Sequence, residues 1–380
     1  DCGLHGVQSC GHAHADQLSF EFAAQGTTWL VDPGTFTYTG DAEMRDWFRS
    51  TAAHNTVTVD GEPQSITAGP FAWAQIAEPL AREFFEARGS VYFAGAHNGY
   101  ERLPDPVTHR RALLFVRADD ATLPSYLIVR DRFEARAAHR YAARYHFAAG
   151  CHATAQANVI NATSAQDQLF IHAFGSSLTV AQIESGWVSR AYGERQAAPV
   201  AVIASEGAGR QELLTFIIPG SAGVSPAGLA YAKAGGKHVG ETPALPGQAY
   251  RLTHSDTLDI IITSDGTVDV ASHQLKAQAE MAMARFVNQR LTRACLARGR
   301  RIEIENRLAL SASAPIGFAE IAVVEDSFEI TIHGASCFEL SFSQPPRSVV
   351  VNGARFSVLR ECANVAFALE ESGWTSTNRA

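Results

Sequence analysis

Apolar and polar residues alternate in short runs along most of this chain, and the most informative run lies near its start. From His12 to Phe22 the even positions are His12, His14, Asp16, Leu18, Phe20 and Phe22. In an extended strand these six share one face, polar at one end and apolar at the other. Ala24-Gln25-Gly26 reads as a three-residue hairpin loop with glycine in the left-handed position, and Thr27 to Asp32 as the return strand. Pro33-Gly34 ends that strand, because proline has no N–H for a ladder and glycine permits the bend. Asp41 to Ser50 has mixed, partly helical character, and Thr56 to Gly61 is a strand running into a turn.

The same texture continues to the C-terminus. Ala112–Val116, Tyr126–Val129, Tyr141–Phe147, Leu169–Phe174, Val200–Ala204, Leu213–Ile218, Leu258–Thr263, Ile302–Ile304, Phe328–His333, Cys337–Phe342 and Ser348–Val351 are further strand candidates. Val351-Asn352-Gly353 reads as a hairpin turn. Residues 274 to 301 favour helix by propensity, yet Glu280 to Phe286 alternates, and strand is the reading adopted. Many short strands without alternating long helices predict an all-β fold, an antiparallel multi-stranded β-sandwich with short helical connections. Residues 1–265 are expected to form the main sandwich domain and 266–380 a C-terminal β extension or small β domain, with the Gly- and Pro-containing stretch 234–247 as the clearest loop.

Composition narrows the function classes. With 46% apolar and 18% charged residues in a chain of 380, a large core is available and disorder is excluded. The net charge of -8 is dispersed, which argues against nucleic acid or an anionic membrane surface as partner. No apolar run reaches membrane-spanning length. The six cysteines, Cys2, Cys10, Cys151, Cys295, Cys337 and Cys362, lack paired spacing and form no disulfide framework; Cys2 and Cys10 flank His5 without the C-x2-C spacing of a zinc site. Asp1 stands about ten residues before the densest motif, and a C-terminal part of a longer protein is expected.

Fifty residues, Gly11 to Asp60, hold three histidines and several acids, more groups able to bind a metal or move a proton than any other window. The ordered series Gly-His12-Ala-His14-Ala-Asp16-Gln-Leu-Ser-Phe-Glu-Phe, Val-Asp32-Pro-Gly-Thr, Arg49-Ser-Thr-Ala-Ala-His54-Asn55-Thr-Val-Thr-Val-Asp-Gly and Gly186-Trp-Val-Ser, with Tyr192-Gly193, resembles the C-terminal domain of heparinase II/III-like polysaccharide lyases. His97-Asn-Gly-Tyr100 and His109-Arg110-Arg111 fit the same pattern. The resemblance covers roughly residues 1 to 265. It implies cleavage of uronic-acid-containing polysaccharide by β-elimination, in which the C5 proton is removed and the C4 oxygen leaves. Such a site must neutralise a carboxylate and supply a base and an acid. It also implies an N-terminal helical toroid, absent from this sequence, that contributes a tyrosine and another histidine. A homodimer and a bacterial periplasmic or extracellular location are compatible with it.

Residue by residue, the resemblance places His12 at the catalytic histidine and His14, Asp32 and His54 at a structural Zn²⁺ beside the cleft, with Arg49 as a candidate for the substrate carboxylate. Neutral imidazoles with a carboxylate suit zinc. In a straight hairpin, however, Asp32 would sit opposite Leu18, about 13 Å along the strand from His14. A bulge or a folded-back 12–16 segment is therefore required, and Asp16 is the local alternative ligand. Asn55 reads as a residue that pins a loop, Tyr38, Tyr100 and Tyr192 as packed aromatics, and His109, Arg110 and Arg111 as surface charge. Two other classes compete. One is a noncatalytic carbohydrate-binding sandwich. The other is a cupin-like metal enzyme, which also uses His-x-His on a strand, although Glu21 lies too far from His14 for that motif.

Overall fold

The computed structural model describes residues 1–6, 9–118, 125–165, 167–177, 179–221, 229–232, 247–272, 274–305, 307–359 and 362–379. It is an all-β protein, as the alternation predicts, with one eight-residue helix, Ala42–Arg49, among the described residues. Two compact units divide the chain. The first consists of Asp1–Phe84, Phe93–Phe115 and Pro124–Ser225, the second of Phe85–Tyr92, Val116–Leu123 and Pro226–Ala380. Residues 226–265, assigned to the first body in the sequence reading, fall in the second, because Gln248–His254 pairs with Thr257–Thr263 and that strand with Leu275–Val287. Of the expected 234–247 loop, residues 234–246 lie outside the described residues.

The first unit is a sandwich. One sheet has the order Thr179–Ala191, Glu194–Gly207, His139–His146, Val57–Val59, and the inner strands of an eight-stranded sheet include Asp167–Gly175, Arg210–Ser221 and Tyr126–Glu134. Every other residue of each strand points inward. Thus Tyr141, Ala143, Tyr145, Ala201 and Ile203 of one sheet share a buried cluster with Leu127, Val129, Leu169, Ile171, Leu213 and Ile217 of the other. The helix is framed by local chemistry. The Asp41 carboxylate accepts from Met44 N at 3.0 Å, and Glu43 and Arg49 lie at the ends that suit the helix dipole.

In the second unit, long antiparallel strands surround Leu275–Val287, the segment whose propensity favoured helix. Neighbours on both sides supply its hydrogen bonds, and residues 281–286 are all buried, so pairing and burial override propensity. Asp259 and Arg285 form a buried two-pronged ion pair (2.8 and 2.7 Å) across two of these strands. The Asn352-Gly353 turn forms as expected, both residues having positive φ.

One part of the opening pattern is not a strand. His12 to Glu21 is irregular, and the first strand is only Phe22–Ala24, paired with Thr27–Leu30. The loop between them has two residues, Gln25 and Gly26, both left-handed (φ 54° and 81°), which matches the twist of a tight hairpin.

Beyond strand Val57–Val59, the turn at Asp60 (φ 55°) is fixed by its carboxylate, which accepts from Arg140 N at 2.8 Å and contacts His139 Nδ1 at 2.6 Å. His139 Nε2 meets Asp105 at 3.0 Å. Burial opposes a charge on His139, but the two carboxylates outweigh it and raise its pKa above the ordinary value of 6.5. A group whose pKa rises on folding stabilises fully below its unfolded value and loses that contribution as pH climbs through its folded value. The stability difference between wild type and His139→Asn is therefore expected to be largest near pH 5.5 and to narrow above about pH 6.5. Melting temperatures of both proteins from pH 5 to 8.5 check this, and a difference that is constant or widens with pH refutes it.

Candidate active site and metal centre

Three segments build the site: the irregular run 12–21, the stretch after the first hairpin from Val31 to Tyr38, and the helix end with the following turn, Arg49 to Thr56. Buried side chains bind them by their backbones. Asn55 Nδ2 donates to the carbonyls of Phe20 (2.8 Å) and Val31 (3.0 Å), and its Oδ1 accepts from His146 N (2.6 Å). Arg111 Nη1 donates to the carbonyls of Leu18 (2.8 Å) and Asn55 (2.6 Å). Thr56 Oγ1 and Gln64 Nε2 both reach Gln17 O, at 2.9 and 3.0 Å. These donors replace ladder partners for residues 17 to 20, which explains why the predicted strand is not formed. Leu18 adopts φ 64° within this run.

Arg111 is itself anchored. Its guanidinium binds Asp131 at 2.7 and 3.0 Å, and Asp131 also meets His109 Nε2 at 2.7 Å. His109 Nδ1 lies 3.0 Å from His97 Nε2, and Gly99 N donates to His97 Nδ1 at 3.1 Å. The backbone donor leaves the His97 proton on Nε2, so each ring passes one N–H along the row to the carboxylate. Burial alone would raise the Asp131 carboxyl; the Arg111 charge and the hydrogen bonds from His109 and Arg111 bring it down to about 2. His109 and Arg111, expected at the surface, are fully buried, and of that triplet Arg110 alone is exposed. Sequence position on a strand cannot say which alternating face a charge takes when a buried partner awaits it 20 residues on.

The folded-back segment brings His14, Asp16, Asp32 and His54 together, each offering a ligand atom within 4.8 Å of the others; no other such group of His, Cys, Asp or Glu occurs among the described residues. His54 is completely buried, and its Nδ1 donates to Ser50 O at 2.8 Å, which turns the Nε2 lone pair toward the cluster. Nε2 lies 3.1 Å from His14 Nδ1 and 3.4 Å from Asp32 Oδ2. Donors about 2.0–2.1 Å from a tetrahedral ion stand roughly 3.3 Å apart, so these separations fit one. His14 Nε2 faces Thr35 Oγ1 at 3.3 Å, and Asp32 Oδ1 accepts from Gly34 N at 2.8 Å, contacts that orient both groups. Burial, reinforced by His54 and opposed by Asp32, lowers His14 to about 4, leaving a neutral imidazole at neutral pH. Burial, reinforced by Asp32 and opposed by His54 and the N-terminal ammonium, raises the pKa of Asp16.

His12 diverges from His14. It is exposed, with Nδ1 3.2 Å from Tyr38 OH and its ring edge-on to Tyr38 (5.3 Å between centroids) and Phe71 (6.1 Å). Tyr192, 60% exposed, lies over Tyr38 at 5.7 Å, and its oxygen accepts from Tyr38 N at 3.3 Å. Tyr38 and Tyr192 thus stand at the surface beside His12 rather than packed in the core. Tyr100 is packed, its hydroxyl donating to Val57 O at 2.6 Å. The pair of aromatics two residues apart after Pro33-Gly34, Phe36 and Tyr38, was the available signal. Because the imidazoles of His12 and His14 go to different partners on a non-strand segment, a cupin-like site is not formed. Arg49 is 2% exposed: Nη1 donates to Gly69 O (3.0 Å) and Pro70 O (2.9 Å), its guanidinium lies over Trp73 at 4.3 Å, and its carbonyl accepts from Ala15 N at 2.9 Å. It braces the His12–His14 segment from beneath.

Comparison with known proteins adds the following. Residues 1–226 match the family described as heparinase II/III-like, C-terminal. A heparin-sulfate lyase of Pedobacter heparinus is 37% identical over 59 residues, 15% of this chain and 9% of that protein. A heparin-sulfate lyase of Bacteroides stercoris is 24% identical over 196 residues, 50% of this chain and 26% of that protein. Among solved structures, a heparan sulfate lyase of Pedobacter heparinus superposes with a TM-score of 0.51 at 19% identity, over 68% of this chain and 37% of the other, a likeness of fold. The chain therefore spans about a quarter or less of the length of these curated relatives.

The backbone pins give a test. Asn55→Ala strands two carbonyls and one amide in buried surroundings, at a cost of about 3–5 kcal/mol if each unmade bond costs about 1–3 kcal/mol with partial relaxation. Asn55→Asp keeps the acceptor but points a carboxylate at two carbonyl oxygens, and is expected to destabilise more than alanine. Urea unfolding of both variants measures this; effects under about 0.5 kcal/mol, or alanine as the worse substitution, contradict the pinning role.

Proposed function

We propose a polysaccharide lyase function on the premise that this chain belongs to the heparinase II/III-like family, whose C-terminal model spans residues 1–226. The substrate class is uronic-acid-containing polysaccharide, and the reaction is β-elimination. The observation that carries this reading is the His12–Tyr38 pair, two proton-carrying groups 3.2 Å apart at the surface, with the His14, Asp16, Asp32 and His54 cluster beginning two residues further along the chain.

In β-elimination a base takes the C5 proton of the uronate, the electron pair of that C–H bond forms the C4=C5 double bond, and the C4–O bond breaks onto the leaving oxygen, which takes up a proton. A hydrogen-bonded imidazole and phenol serve both transfers. His12 accepts or relays the proton, and the Tyr38 hydroxyl faces the reacting sugar. Tyr192 fixes the Tyr38 backbone through its contact with Tyr38 N. Arg49 is a positioning residue in this scheme, holding the segment that carries His12 through Ala15 N. Neutralising the uronate carboxylate then falls to groups outside this chain. The reading accordingly includes an N-terminal helical toroid as the second half of the site, consistent with the small share of each relative that the chain spans.

The fit of His14, Asp16, Asp32 and His54 to a tetrahedral donor set supports a resident zinc ion. Bound there, the metal would supply a fixed positive charge that ties the 12–16 segment to Asp32 and His54. The residues around it orient the ligands and leave His12 outside the donor set.

Two outcomes are expected. Protein purified without chelator should carry close to one equivalent of zinc, and His54→Ala should lose the ion and lower the melting temperature; less than about half an equivalent of any transition metal refutes the site, given typical structural-site affinities. In the protein with its helical domain, His12→Ala should reduce formation of unsaturated uronate, followed by ultraviolet absorbance, by at least about 100-fold while zinc content stays unchanged. Loss of zinc together with activity would make His12 structural, and unsaturated uronate made at full rate by residues 1–380 alone would remove the toroid from the scheme.

A further inference from the structure

The surface near Tyr192 carries an arginine that the elimination scheme does not use. Arg195 is exposed, its guanidinium lying 4.3 Å from the Trp187 ring centre and 5.1 Å from that of Phe36. No carboxylate among the described residues pairs with it. Stacking on two aromatic faces holds the guanidinium plane while leaving its N–H edge available, the geometry that recognises a carboxylate or sulfate with two parallel hydrogen bonds.

The turn that carries it is fixed to the reacting pair. Tyr192 and Gly193 join strands Thr179–Ala191 and Glu194–Gly207, with Gly193 at φ 80°. Gly193 N donates to Phe36 O at 2.8 Å, and Tyr38 N donates to Tyr192 OH at 3.3 Å. One turn thus sets Arg195 over Phe36 and Tyr192 over Tyr38, two residues further along the same segment. The aromatic surface runs from Trp187 and Phe36 through Tyr192 and Tyr38 to His12 and Phe71, the last 44% exposed. A strip of ring faces suits pyranose rings, and the cation stands at its far end from His12.

We infer that Arg195, held on Trp187, forms a subsite for an anionic substituent, carboxylate or sulfate, on a sugar next to the one cleaved at His12 and Tyr38. The inference rests on the proposed polysaccharide substrate but not on the elimination step. Its function is to set the register of the chain and to favour substrates charged at that position.

Titration calorimetry of residues 1–380 with size-defined uronate oligosaccharides tests it, using native sulfated, desulfated and carboxyl-reduced forms. Wild type should bind the sulfated form, and Arg195→Gln should weaken that binding roughly 10- to 100-fold with the melting temperature unchanged. Arg195→Lys keeps the charge but loses the flat two-pronged donor, and should recover only a small part of the loss. The effect of Arg195→Gln should vanish on the desulfated form if the anion is sulfate, or on the carboxyl-reduced form if it is carboxylate. Full recovery with lysine, an equal effect on all three forms, or no binding by wild type overturns the inference. Unsaturated uronate is assayed separately with the helical domain present, so absence of elimination with the Arg195 pattern intact counts against the lyase reading alone.

Discussion

The buried charge on Arg111 is the constraint from which the site follows. A guanidinium with almost no exposure is tolerable only when every prong is occupied, and here two bind Asp131 while a third reaches the carbonyls of Leu18 and Asn55. Those carbonyls belong to two segments far apart in sequence, one carrying His14 and Asp16, the other His54. The pair therefore fixes loops that have few ladder bonds of their own. His97 and His109 extend it inward, and their neutrality at neutral pH adds no charge to the Arg111–Asp131 pair.

Around that anchor, burial sorts the histidines into two kinds. His54 is fully buried with its Nε2 turned toward the cluster, and burial disfavours the charged imidazolium of half-buried His14, leaving the neutral state a metal ligand needs. His12, two residues before His14, stands at the surface beside a phenol. The separation arises because residues 12 to 16 fold back instead of extending. An extended chain would have put both rings on one face and Asp32 out of reach of His14.

The second unit follows different physics. Its strands are long, up to the seventeen residues of Leu308–Val324, and its core is one continuous apolar cluster with buried ion pairs such as Asp259–Arg285 set into the sheet. Most of it lies beyond residue 226, where the family match ends. Nothing in it gathers proton-carrying groups at a surface as the first unit does among the described residues.

Much of this was legible in the alternation of residues alone. Period-two runs bounded by Gly, Pro, Asn and Asp identify an all-β protein, because side chains alternate across a strand whatever the tertiary context, and the Asn352-Gly353 and Asp60-Gly61 turns declare themselves by their need for positive φ. The ordered His, Asp and Asn motifs marked which segments meet, and Asn55 as a loop pin was readable from its type. What the sequence could not decide was direction. Whether His109 and Arg111 face water or the core depends on Asp131 arriving across a neighbouring strand. Whether His12 pairs with His14 or Tyr38 depends on buried donors capturing the carbonyls of residues 17 to 20. Both outcomes are set by partners remote in sequence, and hydrogen-bond satisfaction in a closed interior is a property of the assembled fold rather than of any local run.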